Sequence, residues 1–314
     1  LASLSWDESE VDELIDYVRD NDSKSFLVLQ NGRMVIEEYF DGHGQDVEWT
    51  WFSAVKSLVS VGIGIAEEEG LIDTEANTSD YLGDNWSQAP SEKQDLIKVK
   101  HHISMSTGLE NPVNNPILWA CTEPACMKYE VDADTKWSYH QGAYTLSQDI
   151  MTNATGINFK DYLQEKIGDK IGLSGSWDSI ISIRVFSSNS RGMARFGLLA
   201  MNEGNWEGEQ IYPIDYHQRM TNTSQSMNEA YGYLWWLNGK NSFTITEDQT
   251  QYDGALIPNA PSDMYAALGA NDQKIYVIPS LDMVVVRTGN AVEEDELSLS
   301  SFDNELLGKI MDVL

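Results

Sequence analysis

Ser53 and Lys56 stand three residues apart in Trp51-Phe52-Ser53-Ala54-Val55-Lys56-Ser57-Leu58. If the stretch is helical, Ser53 sits in the first turn and both side chains lie on one face. An amine in that place can take the hydroxyl's proton. Backbone N–H groups at a helix start can face a developing oxyanion, so the pair could carry out acyl transfer. The spacing alone says little. With 30 Ser and 13 Lys in 314 residues, about one Ser-x-x-Lys is expected by chance, and the chain has one.

Such a nucleophile needs a third group, and Trp137-Ser138-Tyr139-His140-Gln141-Gly142 supplies candidates just ahead of a predicted helix. Tyr139 could relay protons between nucleophile and leaving group, and Gln141 offers a donor and an acceptor to a substrate amide. Equally, Tyr139 is one of 14 tyrosines, and His140 could be an exposed loop residue. Other chemistries lack their signatures. There is no Gly-x-Ser-x-Gly elbow, no phosphate-cradling loop, no His-Glu-x-x-His and no calcium-loop spacing. His101 and His102 are adjacent, so a helix points them to different faces, as expected of packing or surface residues.

The elements that must position these residues follow from periodicity and punctuation. Val11, Leu14, Ile15 and Val18 predict a helix over Glu8–Arg19, with Ser5 or Asp7 as its cap. Two β-rich runs, Ser25–Gln30 and Arg33–Phe40, flank Asn31-Gly32 and predict a hairpin with a type I′ turn. Val59–Ala66 continues the Ser53 stretch as a buried helix ending at Gly70. From about Asp73 to Gln225 helical pieces alternate with loops: His101–Ser106, Ala143–Asn153, Phe159–Ile167 and Arg191–Met201. Strands return at Tyr231–Leu237, Met264–Leu268, Lys274–Ile278 and Met283–Arg287, and Phe302–Leu314 closes the chain as a helix. Consecutive strands with short turns imply an antiparallel sheet. The expected fold is α/β (α+β): a sheet domain from residues 1–75 and 228–314, a mostly helical domain over 76–227, and a site between them.

Composition narrows the partners. The balance of 50 Asp+Glu against 20 Lys+Arg, net −30, repels nucleic acid and anionic membranes. No apolar run reaches the length of a membrane span. Cys121 and Cys126 flank four residues including Pro124; they could close a small disulfide ring or remain thiols. Two cysteines with no histidine nearby in sequence do not make a zinc site, so no metal or other cofactor is expected. A disulfide would suit a periplasmic or secreted protein, its signal peptide trimmed from a chain that starts at Leu1.

Taken in order, the motifs resemble those of serine β-lactamase-like hydrolases related to penicillin-binding proteins: class C β-lactamases, family VIII-type esterases and 6-aminohexanoate-dimer hydrolases. Ser53-Ala-Val-Lys56 resembles the family's Ser-x-x-Lys, Tyr139-His-Gln141 its Tyr-x-Asn, and Ala267-Leu-Gly269 its Lys-Thr-Gly or His-x-Gly. His102–Leu109, Met193–Leu199, Tyr231–Trp236 and Val284–Arg287 add matches along nearly the whole chain. The resemblance implies an antiparallel sheet flanked by helices, with an inserted helical domain. It implies Ser53 as nucleophile, Lys56 and Tyr139 as acid/base groups, and the backbone N–H groups of Ser53 and Ala270, beside Gly269, as oxyanion donors. Gln141 would contact substrate. Two departures matter: Gln141 replaces Asn, and Ala267 replaces a cation that in relatives helps hold a substrate carboxylate. The expected activity is therefore hydrolysis of a small neutral ester or amide through an acyl-enzyme. The alternatives are a β-lactamase proper and a catalytically silent binding homologue.

Overall fold

The computed structural model describes residues 6–246, 249–292, 299 and 301–314. Helix α1 (Glu8–Asp20) is capped by Asp7, whose side chain accepts from the Ser9 N–H; Ser5 lies outside the described residues. Val11, Leu14 and Val18 are its buried stripe. Strands β1 (Ser23–Gln30) and β2 (Arg33–Tyr39) form the expected hairpin. Its two turn residues, Asn31 and Gly32, both have positive φ, as a type I′ turn requires.

The chain ends combine into one six-stranded antiparallel sheet. Number the short strand Trp49–Thr50 as β3, Gly175–Ile180 as β4, Ile183–Ser188 as β5, Trp236–Leu237 as β6, Tyr265–Gly269 as β7, Gln273–Ile278 as β8 and Met283–Gly289 as β9. The sheet order is then β2-β1-β9-β8-β7-β6. Strands β8 and β9 are buried along their whole length because helices cover both faces. On one face α1 packs against the closing helix (Ser301–Val313), where Tyr17 stacks on Phe302. On the other lie the helix of the Ser53 stretch, α2 (Val55–Glu68), and the helix Ser190–Met201.

Three local differences from the sequence reading bear on the site. The long segment expected to be helical also holds the hairpin β4–β5, which pairs with β3 as a separate three-stranded sheet. Its polar stretch Gly175-Ser-Trp-Asp-Ser-Ile gives little apolar alternation, so the strand is hidden in sequence. The helix expected at Ala143–Asn153 is α3 (Gln141–Thr155). It starts earlier because His140 is no exposed loop residue: it is buried, and its Nδ1 accepts from the Ala143 N–H as an N-cap. The piece expected at His101–Ser106 is only Val99–Ile103, since Met105 takes a positive φ. Here both histidines are buried packing residues; His102 Nε2 and Nδ1 lie 2.9 Å from the Thr78 hydroxyl and 2.8 Å from the Ala143 carbonyl.

A buried ionic cluster on the α1 face fixes the β7–β8 turn. Lys274 donates to Asp303 (2.7 Å) and lies 3.0 Å from Asp272. Tyr276 donates to the other Asp303 oxygen at 2.6 Å. Arg287 donates to the Asn271 and Asp272 carbonyls, both at 3.1 Å. Charges this deep are tolerated only when paired and fully hydrogen-bonded. The result is a clamped turn that begins at Ala270.

Candidate active site

The Ser53 turn is held from both sides. Trp51 is fully buried; its backbone N–H donates to Phe186 and its indole to the Ser188 hydroxyl (both 2.8 Å), so β5 anchors the residue two before the serine. Phe52 then takes φ 47°, a left-handed conformation that costs a bulky residue roughly 1–2 kcal/mol. Ser53 follows in a 3₁₀ turn, Phe52–Ala54, and α2 begins only at Val55. The serine thus precedes the α-helix, where the sequence alone placed it in the first α-turn. The face shared with Lys56 survives, because 3₁₀ geometry also brings i and i+3 together.

Lys56 Nζ lies 3.0 Å from Ser53 Oγ and donates to Gln141 Oε1 at 2.8 Å. The amide of Gln141 is itself oriented: its Nε2 donates to Thr145 Oγ1 at 3.3 Å, and that hydroxyl donates to the Gln141 carbonyl at 3.0 Å. The Lys56 amine lies 4.9 Å from the ring centre of Tyr139 and 4.5 Å from that of Tyr144. Burial in this setting lowers its pKa to about 7, since desolvation penalises the ammonium. Near neutral pH the amine is therefore available in its neutral form, with Gln141 as an uncharged hydrogen-bond acceptor.

Tyr139 is beside Lys56 and as buried as it is, each 3% exposed, with its ring stacked on Trp236 and edge-on to Tyr231. Its carbonyl accepts from Asn111 Nδ2 (3.1 Å) and Trp119 Nε1 (3.3 Å). Tyr144, which the sequence did not single out, is the second ring on the amine. Spacing could have indicated it, because it lies three residues after Gln141 on the same helix face.

Gly269 has a steric role. A Cβ there would lie 2.1 Å from the Trp51 carbonyl, so only glycine lets β7 come against the Ser53 turn. That approach brings Ala270 into the wall of the same cavity as Ser53, Lys56 and Gln141. Ala267 is buried on β7 and offers no charge to a ligand. The cavity, about 160 Å³, is otherwise walled by Phe52, Val55, Trp119, Ile183 and neighbours on β4–β5. Cys121 and Cys126 form a disulfide in the loop that carries Trp119. Among the described residues no group of three or more His, Cys, Asp or Glu could hold a metal ion, and no helix is long and apolar enough to cross a membrane.

The family model for Beta-lactamase matches residues 11–177, a span that includes Ser53, Lys56, Tyr139 and Gln141. The chain belongs to the Beta-lactamase family. It is 22% identical over 310 residues to an uncharacterized protein of Alkalihalophilus pseudofirmus, covering 87% of this chain and 85% of that protein. Solved structures share the fold of this family member at low identity. A Bacillus anthracis protein provisionally named 6-aminohexanoate-dimer hydrolase superposes with TM-score 0.73 at 20% identity, over 96% of this chain and 81% of its own. A family VIII carboxylesterase superposes with TM-score 0.72 at 14% identity, over 98% and 97%. The sheet flanked by helices is thus the β-lactamase and penicillin-binding-protein architecture.

Proposed function

We propose that this Beta-lactamase family member is a serine hydrolase that cleaves an uncharged ester or amide through an acyl-enzyme on Ser53. The observation that carries the reading is the buried amine of Lys56, with a pKa near 7, 3.0 Å from Ser53 Oγ. In its neutral form it accepts the Ser53 proton while Oγ attacks the substrate carbonyl carbon. The carbonyl electron pair moves onto oxygen, where the N–H groups of Ser53 and Ala270 serve as donors. Collapse of that intermediate expels the alcohol or amine, which takes a proton from Lys56 or by way of Tyr139. Water then attacks the acyl carbon by the reverse proton route and frees Ser53.

An uncharged substrate fits the surroundings. Ala267 supplies no cation, and the Arg184 guanidinium is engaged by Asp149 (2.7 Å) and Gln148 (3.1 Å). The net charge of −30 further disfavours anions. The test is labelling with a fluorophosphonate. Stoichiometric modification, lost in Ser53→Ala, is expected; equal labelling of both proteins removes Ser53 from the mechanism. Turnover of p-nitrophenyl acetate with little or no turnover of nitrocefin separates an esterase from a β-lactamase proper. Tight ligand binding without acylation would indicate a silent homologue.

A further inference from the structure

The cavity beside Ser53 has a one-sided chemistry. Ser53, Lys56 and Gln141 are its polar end; most of the remaining wall is hydrocarbon from Phe52, Val55, Trp119, Ile180, Ile183 and Val185, and the one charged side chain there, Arg184, has its guanidinium held by Asp149 and Gln148. The apolar character continues outward. Ile180 is 48% exposed and Ile181 57% at the tip of β4–β5; Ile117, beside Trp119 in the facing loop, is 69% exposed. An apolar channel leading from a nucleophile to an apolar rim calls for a hydrocarbon occupant.

The wall opposite the hairpin is built to stay in place. Trp119 ends a short helix and donates through its indole to the Tyr139 carbonyl. Two residues on, Cys121 starts the disulfide ring, and its carbonyl packs on α3 at Gly142, where a Cβ would come within 2.2 Å. The ring is thus seated on the same short segment that carries Tyr139 and Gln141. Tyr139 itself stands outside the cavity lining. A leaving group that takes its proton by way of Tyr139 lies toward that side, which leaves the cavity to the substituent on the carbonyl carbon.

Resting on the reading of Ser53 as the nucleophile, we propose that this cavity is an acyl-chain subsite for an uncharged, unbranched aliphatic acyl group. One wall is the β4–β5 hairpin; the other is Trp119, held by the Cys121–Cys126 ring. Each methylene taken from water into such a site raises kcat/KM by about threefold to fourfold until the cavity is filled.

The experiment compares two ester series on the intact protein: p-nitrophenyl esters from acetate to decanoate, and acetate esters of lengthening alcohols. The expected result is a steep rise with acyl length and a flat response to alcohol length. Trp119→Ala and the double variant Cys121→Ser, Cys126→Ser should each flatten the acyl series, and Ile183→Asp should abolish the rise. Fluorophosphonate labelling of every protein is run alongside. Wild type that fails to label overturns the nucleophile reading. Wild type that labels but does not discriminate acyl length, or discriminates alcohol length instead, overturns the subsite. An unchanged slope in the double cysteine variant overturns the bracing role of the ring.

Discussion

Replacing Gln141 with glutamate changes one contact in a defined direction. The Gln141 Oε1 now accepts from Lys56 at 2.8 Å as a neutral atom; in Gln141→Glu a carboxylate oxygen takes its place with the same chain length. Burial alone holds the amine at about 7, so about half of it is neutral at pH 7. An opposite charge in direct contact favours the ammonium and returns its pKa toward about 9. The neutral fraction at pH 7 then falls from about one half to about one in a hundred, roughly a 50-fold loss of kcat/KM. The loss is recovered above about pH 9.5, where both proteins hold a neutral amine. The assay is kcat/KM for p-nitrophenyl acetate across pH, corrected for spontaneous hydrolysis, because this parameter reports the free enzyme's base. Wild type should rise to a plateau through about pH 7 and the variant through about pH 9. A limb near pH 7 in both proteins, or none in wild type, would refute Lys56 as the base.

Two further outcomes follow from packing and burial. Gly269→Ala places a Cβ against the Trp51 carbonyl, forcing β7 and the Ser53 turn apart; a stability loss of about 1–3 kcal/mol in urea unfolding is expected, with a larger fractional loss in kcat than in KM. Wild-type stability and kcat in this variant would remove the close approach from the argument. His102 and His140 are buried as neutral rings, each lowered to about 4 by desolvation. Their folded pKa lies below the unfolded value near 6.5, so the unfolded chain binds protons first as pH falls. Their contribution is complete above about pH 6.5 and is lost down to about pH 4, at about 2 kcal/mol per histidine by pH 5. Urea midpoints at pH 7.5 and pH 5 measure it; equal midpoints would mean these rings are not held neutral.

Much of the scaffold was legible because its signals are local. Asn31-Gly32 fixes a hairpin through positive φ at both positions, and Val11, Leu14 and Val18 mark a helix face by spacing alone. Ser53 and Lys56 meet because residues three apart on any helical turn share a face, which survived the change from α to 3₁₀. Gln141 could be picked out by its place before a helix, although its cap, His140, reads in sequence as a loop residue. Folding brought the rest together. The left-handed Phe52 is set by anchoring Trp51 to β5, whose own hairpin leaves a weak trace in a polar stretch. Which of 14 tyrosines flank the amine depends on how α3 packs across α2, and the answer was two, Tyr139 and Tyr144.

The sequence by itself determined that Ser53 and Lys56 share a face and where the strands' hydrophobic runs fall, because residue type and short-range spacing suffice for both; the cation missing at Ala267 shows only beside the family's motif. Tertiary structure alone decided that Lys56 titrates near neutrality, since its pKa is set by the water excluded around it. It alone decided why position 269 must be glycine, since the atom a side chain would strike belongs to Trp51, distant in the chain. The apolar wall shared by Trp119, Ile180 and Ile183 is likewise a product of folding, made from two segments whose sequences carry no sign of each other.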